Sequence, residues 1–187
     1  MRDDVHVALL RAVNVGGKHK LPMAELVGMF TAAGCGAARS FIQSGNVVFR
    51  AAPRLAPRIP ALIEKAIADR FGFHAPVVVR TGAELREVAE KNPFIDRGED
   101  PDKLHVAFLA DRPTAAAVAS LDPKRSPPDE LIVRGRELYL FTPNGVGRSK
   151  ITAAYLDARL KTVVTARNWR TVQKLVALVD SLAKEDP

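Results

Sequence analysis

The chain has 187 residues, of which 47% are apolar and 26% charged, with a formal net charge of +7. A chain of this size hides roughly 70% of its unfolded surface, so a real core is expected and wholesale disorder is not. The lone Cys35 excludes an intrachain disulfide framework and a multi-cysteine zinc site.

Residues 1–80 carry a balance of +6 and residues 81–187 one of +1. A basic half is compatible with nucleic acid or phosphorylated ligands, though plain solubility in an Arg-rich composition is the simpler reading. Asp3 and Asp4 precede the first apolar run, against a secretory signal. No stretch approaches the ~18 apolar residues of a membrane span. A cytoplasmic protein is expected, with no membrane partner.

Val5 to Val13 reads as a buried strand, followed by the loop Asn14-Val15-Gly16-Gly17-Lys18-His19-Lys20. Pro22 suits a first helical turn. Met23, Leu26, Val27, Phe30 and Ala33 then recur at helical spacing up to a stop at Gly34. Arg39 to Gln43 and Val47 to Arg50 read as strands joined by Ser44-Gly45-Asn46. A proline-marked loop feeds a helix with Leu62, Ile63, Ala66, Ile67 and Phe71 on one side, and Pro76 to Arg80 closes the unit as a strand. The order is β-α-β-β-α-β, the ferredoxin-like motif.

A further helix ends at Asn92-Pro93, and the acidic, proline-broken stretch 92–103 marks a boundary. Strand Leu104 to Leu109, a short helix from Ala115 to Leu121 and a hairpin around Gly135 follow. After them come a helix from Ile151 to Leu160, a short strand near Val163 and Val164, and a final helix. Val5-His6-Val7-Ala8-Leu9-Leu10 resembles Leu104-His105-Val106-Ala107-Phe108-Leu109, each opening its half. The expected fold is α+β: two tandem ferredoxin-like (βαββαβ) lobes with an additional C-terminal helix. The lobes are 1–91 and 104–187, joined by an acidic linker at 92–103.

Two loops lead from a strand into a helix, where backbone N–H groups lack intrahelical partners and the helix dipole favours negative charge. In the first, Asn14, Gly16, Gly17, Lys18 and Lys20 form a candidate anion site, or a tight turn bearing solvated lysines. The second holds Gly145, Gly147, Arg148, Ser149 and Lys150. Arg148 suits bidentate anion binding there, and Ser149 suits a helix cap. Arg167, Asn168 and Trp169, ahead of the last helix, are accessory candidates for stacking or cation–π contact. The alternative is a tryptophan packed under a helix start capped by Asn168 or Thr171.

His6 and His105 sit mid-strand, and His19 is loop-borne beside lysines. No HExxH pattern or GxSxG elbow occurs, and no metal or cofactor is expected. An RNA-recognition sheet needs aromatic platforms on its central strands, and here those strands offer only His6 and Phe49, so the platform is missing and only backbone binding by loops stays open.

At Leu10-Arg11-Ala12-Val13-Asn14-Val15-Gly16-Gly17-Lys18 and Phe41-Ile42-Gln43-Ser44-Gly45-Asn46-Val47-Val48-Phe49 the chain resembles domain-of-unknown-function family 1697, a mostly bacterial group. The likeness continues through Asn92-Pro93-Phe94, Gly145-Val146-Gly147-Arg148-Ser149-Lys150 and Thr165-Ala166-Arg167-Asn168-Trp169. It implies a two-lobed α+β structure and no established activity, substrate or cofactor. His19 stands where family members often carry asparagine, and Phe41 where tyrosine is common.

The first and third strands of each lobe are expected to run parallel. That would put the 14–20 loop and the Ser44-Gly45-Asn46 turn at opposite ends of the sheet. The expected function is binding of an anionic ligand, a nucleic acid or a phosphorylated small molecule. A metal-free enzyme acting on a small phosphorylated or carboxylated substrate between the lobes is the alternative, as is a protein-interaction scaffold.

Overall fold

A computed structural model describes residues 4–185. Met1 to Asp3, on which part of the N-terminal reading turned, lie outside the described residues. The fold is mixed α+β, with two four-stranded antiparallel sheets.

The first sheet contains β1 (Asp4–Leu10), β2 (Gly36–Phe41), β3 (Asn46–Ala51) and β4 (Val77–Thr81), in the order β2-β3-β1-β4. Side chains alternate across a strand. Ala8, Leu10, Val47, Phe49, Ala51 and Val77 therefore share one face. They pack against Met23, Leu26 and Phe30 of helix α1 (Met23–Ala32) and Ile59, Ile63 and Ile67 of helix α2 (Ile59–Phe71). The α1 residues recur at intervals of three and four, which gives the helix a single apolar stripe. A left-handed Gly72 ends α2.

Helices α3 (Gly82–Glu90) and α4 (Pro93–Asp96) lead to the second sheet, which is built from β5 (Leu104–Leu109), β6 (Glu130–Arg134), β7 (Glu137–Phe141) and β8 (Val164–Asn168). Its order, β6-β7-β5-β8, repeats that of the first. Helix α5 (Ala115–Ala119) precedes Leu121, and helix α6 (Ala153–Leu160) contributes Tyr155, Leu156 and Leu160. These pack on Ala107, Leu109, Leu138, Leu140 and Val164. The last helix, α7 (Trp169–Lys184), buries Val172, Leu175, Val179 and Leu182.

β1 and β3 run antiparallel, with Leu9 opposite Asn46 and Asp4 opposite Ala51. This corrects the parallel arrangement expected from the sequence: a strand that returns beside its neighbour after one crossover and one hairpin has reversed direction. The end of β1 thus lies beside the start of β3. Strand β8 also runs further than the sequence suggested. Its pairing with β5 extends to Asn168 opposite His105, beyond the short strand expected near Val163 and Val164.

The chain divides into two compact units. One holds the residues up to Arg86 together with those from Lys174 onward, and the other is Glu87–Gln173. This division differs from the one read off the sequence, which kept the whole terminal helix with the second half. The far part of α7 is fastened within the first unit. Arg50 Nη2 donates to the Leu182 and Glu185 carbonyls, both at 2.7 Å, Arg39 forms two bonds with the Glu185 carboxylate, and Arg86 meets Asp180 at 2.6 Å. Stretch 92–103 belongs to the second unit and is structured. Phe94 is fully buried, Asn92 Oδ1 caps α4 by accepting the Phe94 N–H, and a 3-10 turn spans Pro101–Lys103.

Candidate functional site

The antiparallel meeting of β1 and β3 brings the two sequence signatures of the first unit together. Leu10 N–H donates to the Gly45 carbonyl at 2.8 Å. Gly45 has φ +71, and a Cβ there would lie 2.6 Å from Val13 Cγ2 and 2.7 Å from Leu10 Cβ, so only glycine fits. Asn14 then joins the loop to the turn. Its Nδ2 donates to the carbonyls of Leu21 and Gln43, both at 2.8 Å, and its Oδ1 accepts the Leu21 N–H at 2.8 Å. The Asn14 carboxamide is thereby occupied in holding the loop.

Beyond that clamp, Val15 and Lys18 form an isolated bridge across Gly16 and Gly17, whose φ values of +60 and +73 make a tight two-residue turn. The glycines are exposed at its tip. Helix α1 begins later, at Met23, with Pro22 as its N-cap, so the glycines stand apart from the helix N-terminus.

Ala12, Asn14, His19 and Ile42 all adopt positive φ without being glycine. Four such residues in one loop pair is unusual backbone, and strain of this kind persists only where the surroundings over-determine it. His19 shows how. Its Nδ1 lies 3.1 Å from the Ala12 carbonyl, a contact that places the proton on Nδ1. Its ring stacks on Phe73 with centroids 4.7 Å apart and planes 16° apart. Around it Lys18, His19 and Lys20 are exposed.

In the second unit, Thr142 is buried and bonds to the Lys103 carbonyl through both N–H and hydroxyl. It anchors a loop in which Val146–Arg148 form one 3-10 turn. Ser149 is not the helix cap; its Oγ accepts the Ile151 N–H, and Thr152 caps α6 by accepting the Tyr155 N–H. A neighbouring loop joins here. Ser126 Oγ accepts the Lys150 N–H at 3.0 Å and donates to Asp129, while Arg125 Nε donates to the Lys150 carbonyl at 2.9 Å. The Arg125 guanidinium lies 4.0 Å from the centroid of the Tyr155 ring. Lys124, Arg125, Arg148 and Lys150 are all exposed along these joined loops.

Among the described residues, no carboxylate pairs with Lys18, Lys20, Lys124, Arg125, Arg148 or Lys150, whereas Arg39, Arg70, Arg86, Arg97 and Arg170 are all ion-paired. The accessory candidates lie differently. Arg167 is buried within β8, donates to Thr165 Oγ1 and the Ala166 carbonyl, and is pushed down to about 10 by desolvation. Asn168 caps α7 by accepting the Thr171 N–H, and Trp169 is 3% exposed at the helix start. Neither the Trp169 ring nor the Arg167 guanidinium presents a face to solvent.

Sequence reasoning does not single out Phe73, Arg125 or Tyr155. Each matters through a neighbour distant in the chain: 54 residues separate His19 from Phe73, and 30 separate Arg125 from Tyr155. Among the described residues no group of three or more His, Cys, Asp or Glu could hold a metal ion, and no helix is long and apolar enough to cross a membrane.

A family model described as "Protein of unknown function (DUF1697)" matches residues 4–139. Among solved structures, a conserved bacterial protein from Streptococcus pneumoniae is similar over 94% of this chain and 98% of its own, at 22% identity and a TM-score of 0.69. That likeness is one of fold. No curated protein matches the chain.

Proposed function

We propose that this chain, which belongs to the DUF1697 family of proteins of unknown function, binds phosphate-bearing anions at an exposed basic loop in each of its two units. The observation that carries this reading is a set of exposed cations without carboxylate partners on loops fastened from within. Lys18 and Lys20 stand on the loop clamped by Asn14, and Arg148 and Lys150 on the loop tied to Ser126. A lysine on a loop already ordered loses less freedom when an anion arrives.

The charge is supplied by side chains, with the tight Gly16-Gly17 turn allowing close approach. We read each unit as a ferredoxin-like lobe, supported by the order β2-β3-β1-β4 and its repeat, and the protein as cytoplasmic, supported by its single buried thiol.

The test is binding of inorganic polyphosphate and oligonucleotides at two salt concentrations. Replacing Lys18 and Lys20 by glutamine should weaken binding and lower the salt slope by about 1 for each phosphate no longer neutralised. Replacing Arg148 and Lys150 should do the same. Affinity for every anion unchanged in both double variants would reject the reading.

A further inference from the structure

The exposed cations do not stand alone. In each unit they flank a flat group held against an aromatic ring. In the first unit that group is the His19 imidazole. Phe73 stacks on the ring, the Ala12 carbonyl fixes its rotation through Nδ1, and the residue is nevertheless exposed. Lys18 and Lys20 are its neighbours in the chain. In the second unit it is the Arg125 guanidinium, which lies over Tyr155, is held by the Lys150 carbonyl and is exposed as well. Lys124 precedes it in the chain, and Arg148 and Lys150 lie on the loop to which its Nε is bonded.

Neither arrangement is what a solvated cation adopts by itself. Free lysine and histidine side chains sample many rotamers, and an imidazole pinned by both a stack and a hydrogen bond has given up that freedom. A phosphate needs no flat surface. A nucleobase does, because every base has a π-face and stacks on aromatic rings or guanidinium planes whatever its sequence. Paired bases have both faces covered by neighbours, so an isolated plane suits unpaired ones.

We propose that the anion is a single-stranded nucleic acid and that each unit holds a site of its own for it: in the first, phosphates meet Lys18 and Lys20 and a base stacks on His19; in the second, phosphates meet Arg148 and Lys150 and a base stacks on Arg125. This rests on the anion-binding reading above. It also differs from sheet-borne recognition, since both planes lie on loops and leave the central strands uninvolved.

The experiment measures fluorescence anisotropy with a labelled single-stranded oligonucleotide of about 12 nucleotides. An abasic strand of the same length, inorganic polyphosphate and a mononucleotide serve as competitors. The base-bearing strand should bind about tenfold more tightly than the abasic one. His19→Ala should remove much of that difference, His19→Phe should retain it because the plane survives, and Arg125→Ala should reduce it independently. Circular dichroism and thermal unfolding confirm that each variant is folded.

Equal binding of base-bearing and abasic strands would overturn the proposal while leaving the anion reading intact. So would a mononucleotide that competes as well as the strand. Failure of every probe, polyphosphate included, would overturn both readings.

Discussion

Asn14 is a candidate ligand-binding side chain by sequence, and its neighbours show why it serves as a clamp. Its carboxamide has one acceptor oxygen and two donor hydrogens, and these meet the Leu21 N–H and the carbonyls of Leu21 and Gln43. Gly45 is the steric counterpart of that clamp. Gly45→Ala would press a methyl group against Val13 and Leu10 at a positive φ. It should cost about 2–4 kcal/mol in urea unfolding, more than a surface Gly→Ala such as Gly147→Ala, which meets nothing within 4 Å.

His6 makes a different point about single residues. It is 5% exposed, stacks on Phe49, and neither ring nitrogen has a hydrogen-bond partner among the described residues. Desolvation pushes it below its ordinary 6.5, against the opposing pull of Asp4 and Glu84. The unfolded chain therefore takes up the proton first as pH falls. Stability from a neutral His6 is full above its unfolded value and declines as pH drops below about 6.5. His105 is lowered by burial too and adds in the same direction. Unfolding free energy measured between about pH 7.5 and 5.5 should fall, and His6→Leu should flatten that slope.

Among the elements, α7 depends most on partners far away in sequence. Its apolar stripe was legible, because Val172, Leu175, Val179 and Leu182 recur at helical spacing. Where its far half packs was not. Arg50 on β3 donates to two carbonyls at the helix C-terminus, a position where positive charge is also favourable. Arg50→Met keeps the aliphatic stem and removes both bonds. We expect a loss of about 1–2 kcal/mol and faster amide exchange in the last turn of α7, with exchange in α6 unchanged.

At the scale of the whole molecule, the compact units cut across the sequence order. A chain ending at Gln173 would take Leu175, Val179 and Leu182 away from the first unit. Burying each such side chain contributes about 1.5–3 kcal/mol, so their joint removal approaches the entire stability of an ordinary domain. Truncation there should abolish cooperative unfolding of the first sheet, which near-ultraviolet dichroism and amide exchange would register. Survival of a cooperative transition in that sheet would show that the far part of α7 is dispensable.

The sequence by itself determined what local rules control. Alternating and 3.6-residue apolar spacing set the strands and helices, a repeated VHVALL-like opening announced a second unit, and lysines on glycine-rich loops marked the candidate site. The tertiary structure alone decided what depends on direction and distance. The antiparallel return of β3 put the Asn14 loop and the Gly45 turn at one end of a sheet, and packing gave His19 its Phe73 and Arg125 its Tyr155. Periodicity records which side of an element is apolar, while strand direction and stacking are settled by residues dozens of positions away, for which a single sequence keeps no local mark.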